Sequence, residues 1–167
     1  MAYINVAEGE DSFVQLDINA SGLFLDVDGN HVPSDAMDDT GNVMTVPSLQ
    51  EVTVNATPGL FRWKQLDSLS EQVVTTPSTN SIALTLVLDD TTFFNGKSFT
   101  PGIFTITNEK TLCYFRLYWA GSDTNDRYIE GRGYLSALAP TVNPDSPVWT
   151  SPITIEVVGD FNADVLA

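Results

Sequence analysis

Hydrophobic and polar residues alternate with a period of two along most of the chain, and this pattern restricts the fold more than any other feature. Examples are the segments 13–18 (FVQLDI), 50–56 (QEVTVNA) and 81–88 (SIALTLVL). No segment longer than about ten residues has the 3.6-residue period of an amphipathic helix. Because successive side chains of a strand point to opposite faces, the alternation predicts half-buried β-strands.

Turn residues divide this pattern into about ten short strands. The predicted strands are 13–18, 22–27, 50–56, 60–66, 70–76, 81–88, 103–107, 111–119, 127–138 and 152–159. Residues 88–98 could instead hold a short helix, with Asp89 or Asp90 as its N-cap and Gly96 as its stop. The sequence therefore predicts a mainly β protein, a β-sandwich or barrel with one short flanking helix.

Length and composition favour a single domain over residues 1–167, of which 43% are hydrophobic. One connection near the N-terminus, 29–49, is much longer than a hairpin turn, and loops of this length are usually functional or disordered. It mixes Asp, Gly and Pro with apolar residues that favour docking on another surface: Met37, Val43, Met44 and Val46. The N-terminus lacks an export signal and no stretch is long enough to span a bilayer, so we expect no membrane insertion.

The segment 25–39 (LDVDGNHVPSDAMDD) resembles a calcium loop at first sight. Asp26 and Asp28 keep the spacing of an EF-hand loop, but Gly29 falls at position four instead of six. Met37 occupies position twelve, where a bidentate Glu is needed. Asp-Gly is also the dipeptide of a two-residue hairpin turn, so we expect a turn and no metal site.

The chain contains few of the side chains that common catalytic centres combine. His31 is the only histidine and has no second His or Cys to complete a zinc site. Cys113 alternates with apolar residues, which predicts a buried thiol. The chain has no P-loop, G-x-G-x-x-G or C-x-x-C motif. A carboxylate pair for glycoside hydrolysis stays open because 22 acids offer many pairs, but we expect no enzyme activity and no cofactor.

Charge is distributed unevenly along this acidic chain, whose net charge is −15. Residues 1–61 contain ten acids and residues 133–167 contain four, and neither segment has a Lys or Arg. All seven basic residues lie between these segments. Tight binding to a phosphate backbone requires Lys and Arg to displace counterions, so such binding is not expected. The acids predict solubility or a surface that repels another polyanion.

The last third of the chain resembles tail tube proteins of long-tailed bacteriophages. The similarity lies in YFRLYW (114–119), RYIEGRGYLSALAPTVNPD (127–145) and VWTSPITIEVVGDF (148–161), a long strand ending in G-x-G-Y-L-S followed by a final T-I-E-V-x-G strand. Upstream, LDSLSEQVVTTPSTNSIALTLVLDD (66–90) is similar to the paired strands before that family's single helix, which would be 89–97 here. The resemblance covers about residues 49–160.

This resemblance implies a structural virion protein that assembles in the host cytoplasm. Subunits would form hexameric rings that stack into a tube around a tape measure protein, ending at tail-completion and terminator proteins. The tube would be a passive conduit for double-stranded DNA. Residues 1–12 and 160–167 would be arms that order on assembly. The loop 29–49 would reach the neighbouring ring, with Met37, Val43, Met44 and Val46 as its apolar anchors.

The resemblance also gives the acidic excess a role. Duplex DNA carries one charge per about 1.7 Å, so weak attraction to each phosphate would accumulate along a tube, whereas an acidic wall prevents sticking. The acids in or beside predicted strands are the candidates to line the lumen: Asp17, Asp26, Glu51, Asp67, Glu71, Glu130 and Glu156.

Two other functions fit the same patterns. One is a different virion β-protein, such as a tail-completion or head-decoration subunit. The other is a carbohydrate-binding or adhesin β-sandwich, in which aromatic residues would form a sugar-stacking platform. Core or interface packing is the preferred role for these aromatic residues because most lie within alternating strands: Trp63, Trp119, Trp149, Tyr114, Tyr118, Tyr128 and Tyr134.

Overall fold

The structure, a computed structural model, describes residues 15–19, 43–46, 49–64, 70–96, 100–119 and 127–165. These residues contain a nine-stranded antiparallel sheet with the order β2-β1-β5-β6-β8-β4-β3, in which β7 also pairs with β8 and β9 with β6. The strands are β1 (Gln15–Asn19), β2 (Met44–Val46), β3 (Leu49–Lys64), β4 (Glu71–Val87), β5 (Cys113–Tyr118), β6 (Arg127–Ser136), β7 (Thr141–Asn143), β8 (Ser146–Val157) and β9 (Asn162–Val165). The sheet curls as in barrel-like folds, and the predicted mainly β class is confirmed.

The hydrophobic core lies on one face of this sheet. Along β4, Ile82, Leu84 and Leu86 are buried, while the residues between them are partly exposed. Their neighbours on β8, Ile153 and Ile155, are buried in the same way. Period-two burial on adjacent strands is the result that the alternating sequence predicts.

The two longest strands each join segments that the sequence analysis separated. Predicted strands 50–56 and 60–66 form parts of β3, and 70–76 and 81–88 form parts of β4. The chain passes through the proline and glycine between them without turning, because a register shift after Thr57 accommodates these residues as a bulge. The prediction of short strands was therefore wrong for this hairpin.

The prediction of a strand at 103–107 was also wrong, because Ile103–Glu109 is an α-helix, α1. A helix places Ile103 and Ile106 on one face, and both are buried in the core. A strand would have placed Ile103 and Ile106 on opposite faces, with Thr105 and Thr107 beside Ile103. Lys110 ends the helix in the left-handed conformation with φ 54°.

A single π-helical turn, Thr91–Asn95, occupies the place of the short helix predicted within 89–97. The Asp89 carboxylate accepts hydrogen bonds from the backbone N–H of Thr92, at 2.7 Å, and from its hydroxyl. Gly96 ends the turn at φ 72° and donates its N–H to the Thr91 carbonyl at 2.7 Å. Among the described residues, no helix is long and apolar enough to cross a membrane.

Three of the four residues predicted to anchor the neighbouring ring are instead buried within their own subunit. Val43, Met44 and Val46 are buried, with exposures of 8%, 2% and 2%, and the last two join the core beside Ile18. Because β2 pairs with β1, this part of the predicted loop 29–49 is a strand of the sheet. Their assignment as anchors buried only between rings is therefore wrong. Met37 lies outside the described residues.

Only one of the two predicted terminal arms lies partly within the described residues. Residues 1–12 lie outside the described residues. The described part of 160–167 contains β9, which pairs with Arg127–Glu130 of β6. This segment is therefore already paired within one subunit. The described part of the chain also excludes the hairpin turn predicted at Asp28 and Gly29, and His31 beside it.

Candidate assembly surface

The β3-β4 hairpin extends beyond the rest of the sheet. β4 pairs with β8 only over Asn80–Val87, so residues 71–76 have β3 as their one strand partner within the described chain. We call residues 59–64 of β3 and 71–76 of β4 the hairpin tip. Every described residue of the tip except Gly59 is exposed, on both faces of the ribbon. A two-stranded ribbon is at best marginally stable alone in water, so a partner surface would stabilise it.

A bulge marks where the tip begins. Thr57 pairs with Thr79, but the next pair is Gly59 with Thr76. Pro58 is skipped in this pairing, which suits a residue without a backbone N–H to donate. A Cβ on Gly59 would collide with the Thr76 hydroxyl and the backbone carbonyl of Pro77, so only glycine fits. The bulge therefore fixes both the identity of residue 59 and the direction in which the tip leaves the sheet.

One face of the tip is apolar and open to solvent. Phe61 pairs with Val74 and Trp63 pairs with Gln72, so these four side chains share a face. The rings of Phe61 and Trp63 stack with centroids 5.9 Å apart. Phe61 is 58% exposed and Val74 is 47% exposed. Exposed apolar patches of this kind mark interaction surfaces.

The opposite face of the tip carries charge. Arg62 and Glu71 form an ion pair with a closest nitrogen–oxygen distance of 3.6 Å, and both side chains are more than half exposed. Lys64, paired with Glu71, lies on the same face, which also carries Leu60 and Val73. The tip therefore has two basic side chains and one acid, in a chain with only seven basic residues.

Two of the predicted lumen acids share the polar face of the sheet. Glu51 pairs with Thr85, and Ser81, four residues away on β4, pairs with Glu156. Both glutamates are exposed and lie on the face opposite Ile82. The stretches of β3, β4 and β8 that pair here, 49–57, 79–87 and 150–157, contain no Lys or Arg. The outer face of these three stretches therefore carries acids and no base, although Arg132 of the neighbouring β6 is exposed on the same face.

The other predicted lumen acids are not grouped with these two. Glu71 is at the hairpin tip, and Asp17 lies on β1 in register with Arg116. Asp26 and Asp67 are outside the described residues. Only Glu51 and Glu156 thus form a shared acidic surface in the part of the chain that the structure describes.

Glu130 is buried, so its assignment to an exposed lumen surface is wrong. Its side chain is 9% exposed and contacts the fully buried Arg116 at 3.0 Å. Asn162 donates a hydrogen bond to its other carboxylate oxygen, also at 3.0 Å. The Arg116 guanidinium lies over the Tyr128 ring, 4.3 Å from its centroid. Burial alone would lower the pKa of Arg116, but hydrogen bonds to Glu130 and Tyr118 raise that pKa above its ordinary value.

Cys113 is fully buried, as predicted, and its thiol donates to the Gly133 carbonyl at 3.2 Å. Burial raises the pKa of the Cys113 thiol to about 12, which keeps it protonated and unreactive at neutral pH. The aromatic residues proposed as one sugar platform are dispersed. Tyr118 and Tyr128 are buried, whereas Trp149 is exposed on β8, far along the sheet from Trp63.

Comparison with known proteins gives a fold but no family. No family model matches the chain, and no curated protein sequence matches it. A chain from the tail of an empty gene transfer agent particle with C6 symmetry superimposes with a TM-score of 0.52 and 10% identity, over 74% of this chain and 87% of that chain. A chain from the virion of a native gene transfer agent particle has a TM-score of 0.51 and 10% identity, over 73% and 88%. The protein therefore shares the fold of chains found in these particles.

Proposed function

We propose that this protein is the structural subunit of a phage-like tail tube, with no catalytic role. Copies of the subunit form hexameric rings that stack into a tube. The observation that carries the proposal is the hairpin tip, a two-stranded extension whose aromatic face has no cover within the described subunit. The likeness of fold to a chain from a tail with C6 symmetry supports the same conclusion.

The acidic face of β3, β4 and β8 suits the wall of a DNA channel. Glu51 and Glu156, repeated in every subunit, would repel phosphates and prevent the counterion exchange that holds DNA on basic surfaces. Double-stranded DNA would then pass without binding. A tape measure protein, with completion and terminator proteins at the ends, would set the length of such a tube, which assembles in the host cytoplasm and resides in the virion.

Electron microscopy of the purified protein over a range of concentrations tests assembly. We expect rings or hollow tubes with six-fold symmetry. A variant in which Phe61 and Trp63 are both changed to Ser should keep its circular dichroism spectrum and lose these particles, because the tip contributes nothing to the core. Phe104→Ser is not a suitable control because Phe104 packs near Phe93, so Val158→Ser, exposed elsewhere, serves instead. A wild-type protein that stays monomeric at every concentration would contradict the proposal.

Charge reversal tests the channel. The double variant Glu51→Lys/Glu156→Lys should still form tubes, because exposed strand positions tolerate substitution within about 0.5 kcal/mol. Its tubes should bind duplex DNA at low salt and release it as salt rises, whereas wild-type tubes should bind little at either. Glu109→Lys, exposed at the end of α1, is the matched control. If the double variant binds no more DNA than the control, this face does not line the channel.

A further inference from the structure

A second apolar surface lies at the other end of β4 from the hairpin tip. Here a cavity of about 540 Å³ is lined by aromatic and aliphatic residues together with two acids. We call this cavity the aromatic pocket. Its lining includes Phe93, Phe94, Phe104, Trp149, Asp89 and Asp90. Phe94, Phe104 and Trp149 are each close to half exposed, so the pocket opens to solvent. A volume in the range of about 300–1,000 Å³ is typical of binding pockets.

The tip cannot reach the pocket of its own chain. β4 runs from Glu71 at the tip to Val87, one residue before the pocket begins at Leu88. At about 3.3 Å per residue, a strand of this length separates the two surfaces by about 50 Å. They therefore lie at opposite ends of one long element.

We infer that the hairpin tip of one copy docks in the aromatic pocket of the next copy. This inference rests on the proposed self-assembly and names the contact that would carry it. Each surface is apolar and uncovered in the described part of the subunit, and each would bury what the other exposes. Phe61 and Trp63 supply the aromatic side chains, and Trp149 and Phe104 supply the walls that receive them.

Charge complementarity favours a second copy as the occupant. The tip carries Arg62, Lys64 and Glu71 on the face opposite its aromatic residues, a net charge of +1. The pocket carries Asp89 and Asp90, which form no ion pair with a described basic side chain. Across most of this acidic chain, an approaching copy would meet repulsion. The net positive charge of the tip and the two acids at the pocket give this one orientation an attractive field.

The contact joins two different surfaces, so it can repeat. A docked pair still presents one free tip and one free pocket, and such head-to-tail contacts continue until they close into a ring or extend as a filament. A symmetric contact of tip with tip would instead stop at a dimer. The placement of the two surfaces at opposite ends of β4 thus accounts for assembly beyond a dimer.

Engineered cysteines test the docking. Cys113 is fully buried and will not compete for oxidation. Gln72→Cys places a thiol on the aromatic face of the tip and Pro140→Cys places one at the pocket, and both positions are exposed. After mild oxidation of assembled protein, the double-cysteine variant should give a ladder of cross-linked multimers, at least tenfold above a control with Gln72→Cys and Val158→Cys. Each single variant should remain uncrosslinked.

A mixing experiment gives an independent test. Trp63→Ser spoils only the tip and Trp149→Ser spoils only the pocket, so each variant alone should lose assembly. Mixed together, one variant's intact pocket can accept the other's intact tip, and sedimentation should show dimers that do not grow. Circular dichroism of each variant checks that the sheet is retained.

These experiments distinguish a failure of the docking from a failure of the tube proposal. Wild-type particles combined with no ladder from the double-cysteine variant would overturn the docking and leave the tube proposal standing. Dimers from Gln72→Cys alone, or normal assembly by Trp149→Ser, would overturn it in favour of tip-to-tip contact or a pocket for another ligand, such as a carbohydrate. A wild-type protein without particles would overturn both proposals.

Discussion

Changing Glu130 to Gln should destabilise the subunit far more than changing Glu71 to Gln. Both residues form interstrand ion pairs with an arginine, but the Arg116–Glu130 pair is buried and the Arg62–Glu71 pair is exposed. In the Glu130→Gln variant, the single amide oxygen cannot accept from both Arg116 and Asn162, so one donor would face an NH₂ group. Both variants remove a carboxylate from an Arg–Glu ion pair, one buried and one exposed, so the difference in their stability reports the effect of burial.

Removing one partner of a buried pair costs about 3–5 kcal/mol, whereas an exposed pair contributes about 0.2–1 kcal/mol. With a urea dependence of about 2 kcal/mol per molar, the midpoint should fall by about 1.5–2.5 M for Glu130→Gln. For Glu71→Gln, the fall should be about 0.1–0.5 M. Replacing Arg116 and Glu130 together by Leu should restore much of the loss, because no charge is then left buried.

Urea unfolding of the monomer at pH 7, followed by tryptophan fluorescence, measures these midpoints. Equal midpoints for the two single variants would refute the reasoning, because they would mean that the Arg116–Glu130 pair is solvated. Glu130 would then be available to face a channel.

Three further predictions follow from the described contacts. Gly59→Ala should abolish assembly and make the tip easier for proteases to cleave, because the added Cβ would disrupt the bulge, but it should leave the urea midpoint nearly unchanged. Thr57→Ala is the control. Normal assembly of the Gly59→Ala variant would show that the bulge geometry is not needed. Met44→Ala should lower the free energy of unfolding of the monomer by about 2–5 kcal/mol, since Met44 is in the core, whereas an anchor buried only between rings would leave that free energy unchanged. Cys113 should react with thiol reagents only on unfolding. Because burial raises the pKa of its thiol from the ordinary 9.0 to about 12, stability should fall as pH rises from 9 towards 12, and Cys113→Ala should reduce this loss.

Two similar stretches show where sequence reasoning stops. Nearly the same pattern occurs in Phe61-Arg62-Trp63 and in Phe115-Arg116-Leu117. The sequence predicts a strand at each stretch, and both are strands in the structure. The first is exposed because the tip has no strand beside it except its hairpin partner. The second is buried on both faces. Phe115 and Leu117 belong to the core on one face, and Arg116 on the other face contacts Glu130 and lies over the Tyr128 ring. Alternation predicts that a strand exists and not which neighbours it has, so Arg62 and Arg116 could not be distinguished from sequence.

The same limit explains the misplaced site residues. Glu130 was predicted to be exposed because polar positions of alternating strands usually are, but the face of β6 that carries Tyr128 and Glu130 is covered, and both residues are buried. Met44 and Val46 were assigned to a loop because two residues at a period of two are too short a signal for a strand. Glu51 and Glu156 were correctly expected to lie in strands, but their common face depends on the register of β3, β4 and β8.

Cryo-electron microscopy of the assembled wild-type protein tests the central claim most directly. The account predicts a hollow tube of six-fold rings, with Glu51 and Glu156 facing its channel. A protein that remains monomeric, or a particle in which this acidic face points outwards to solvent, would contradict it.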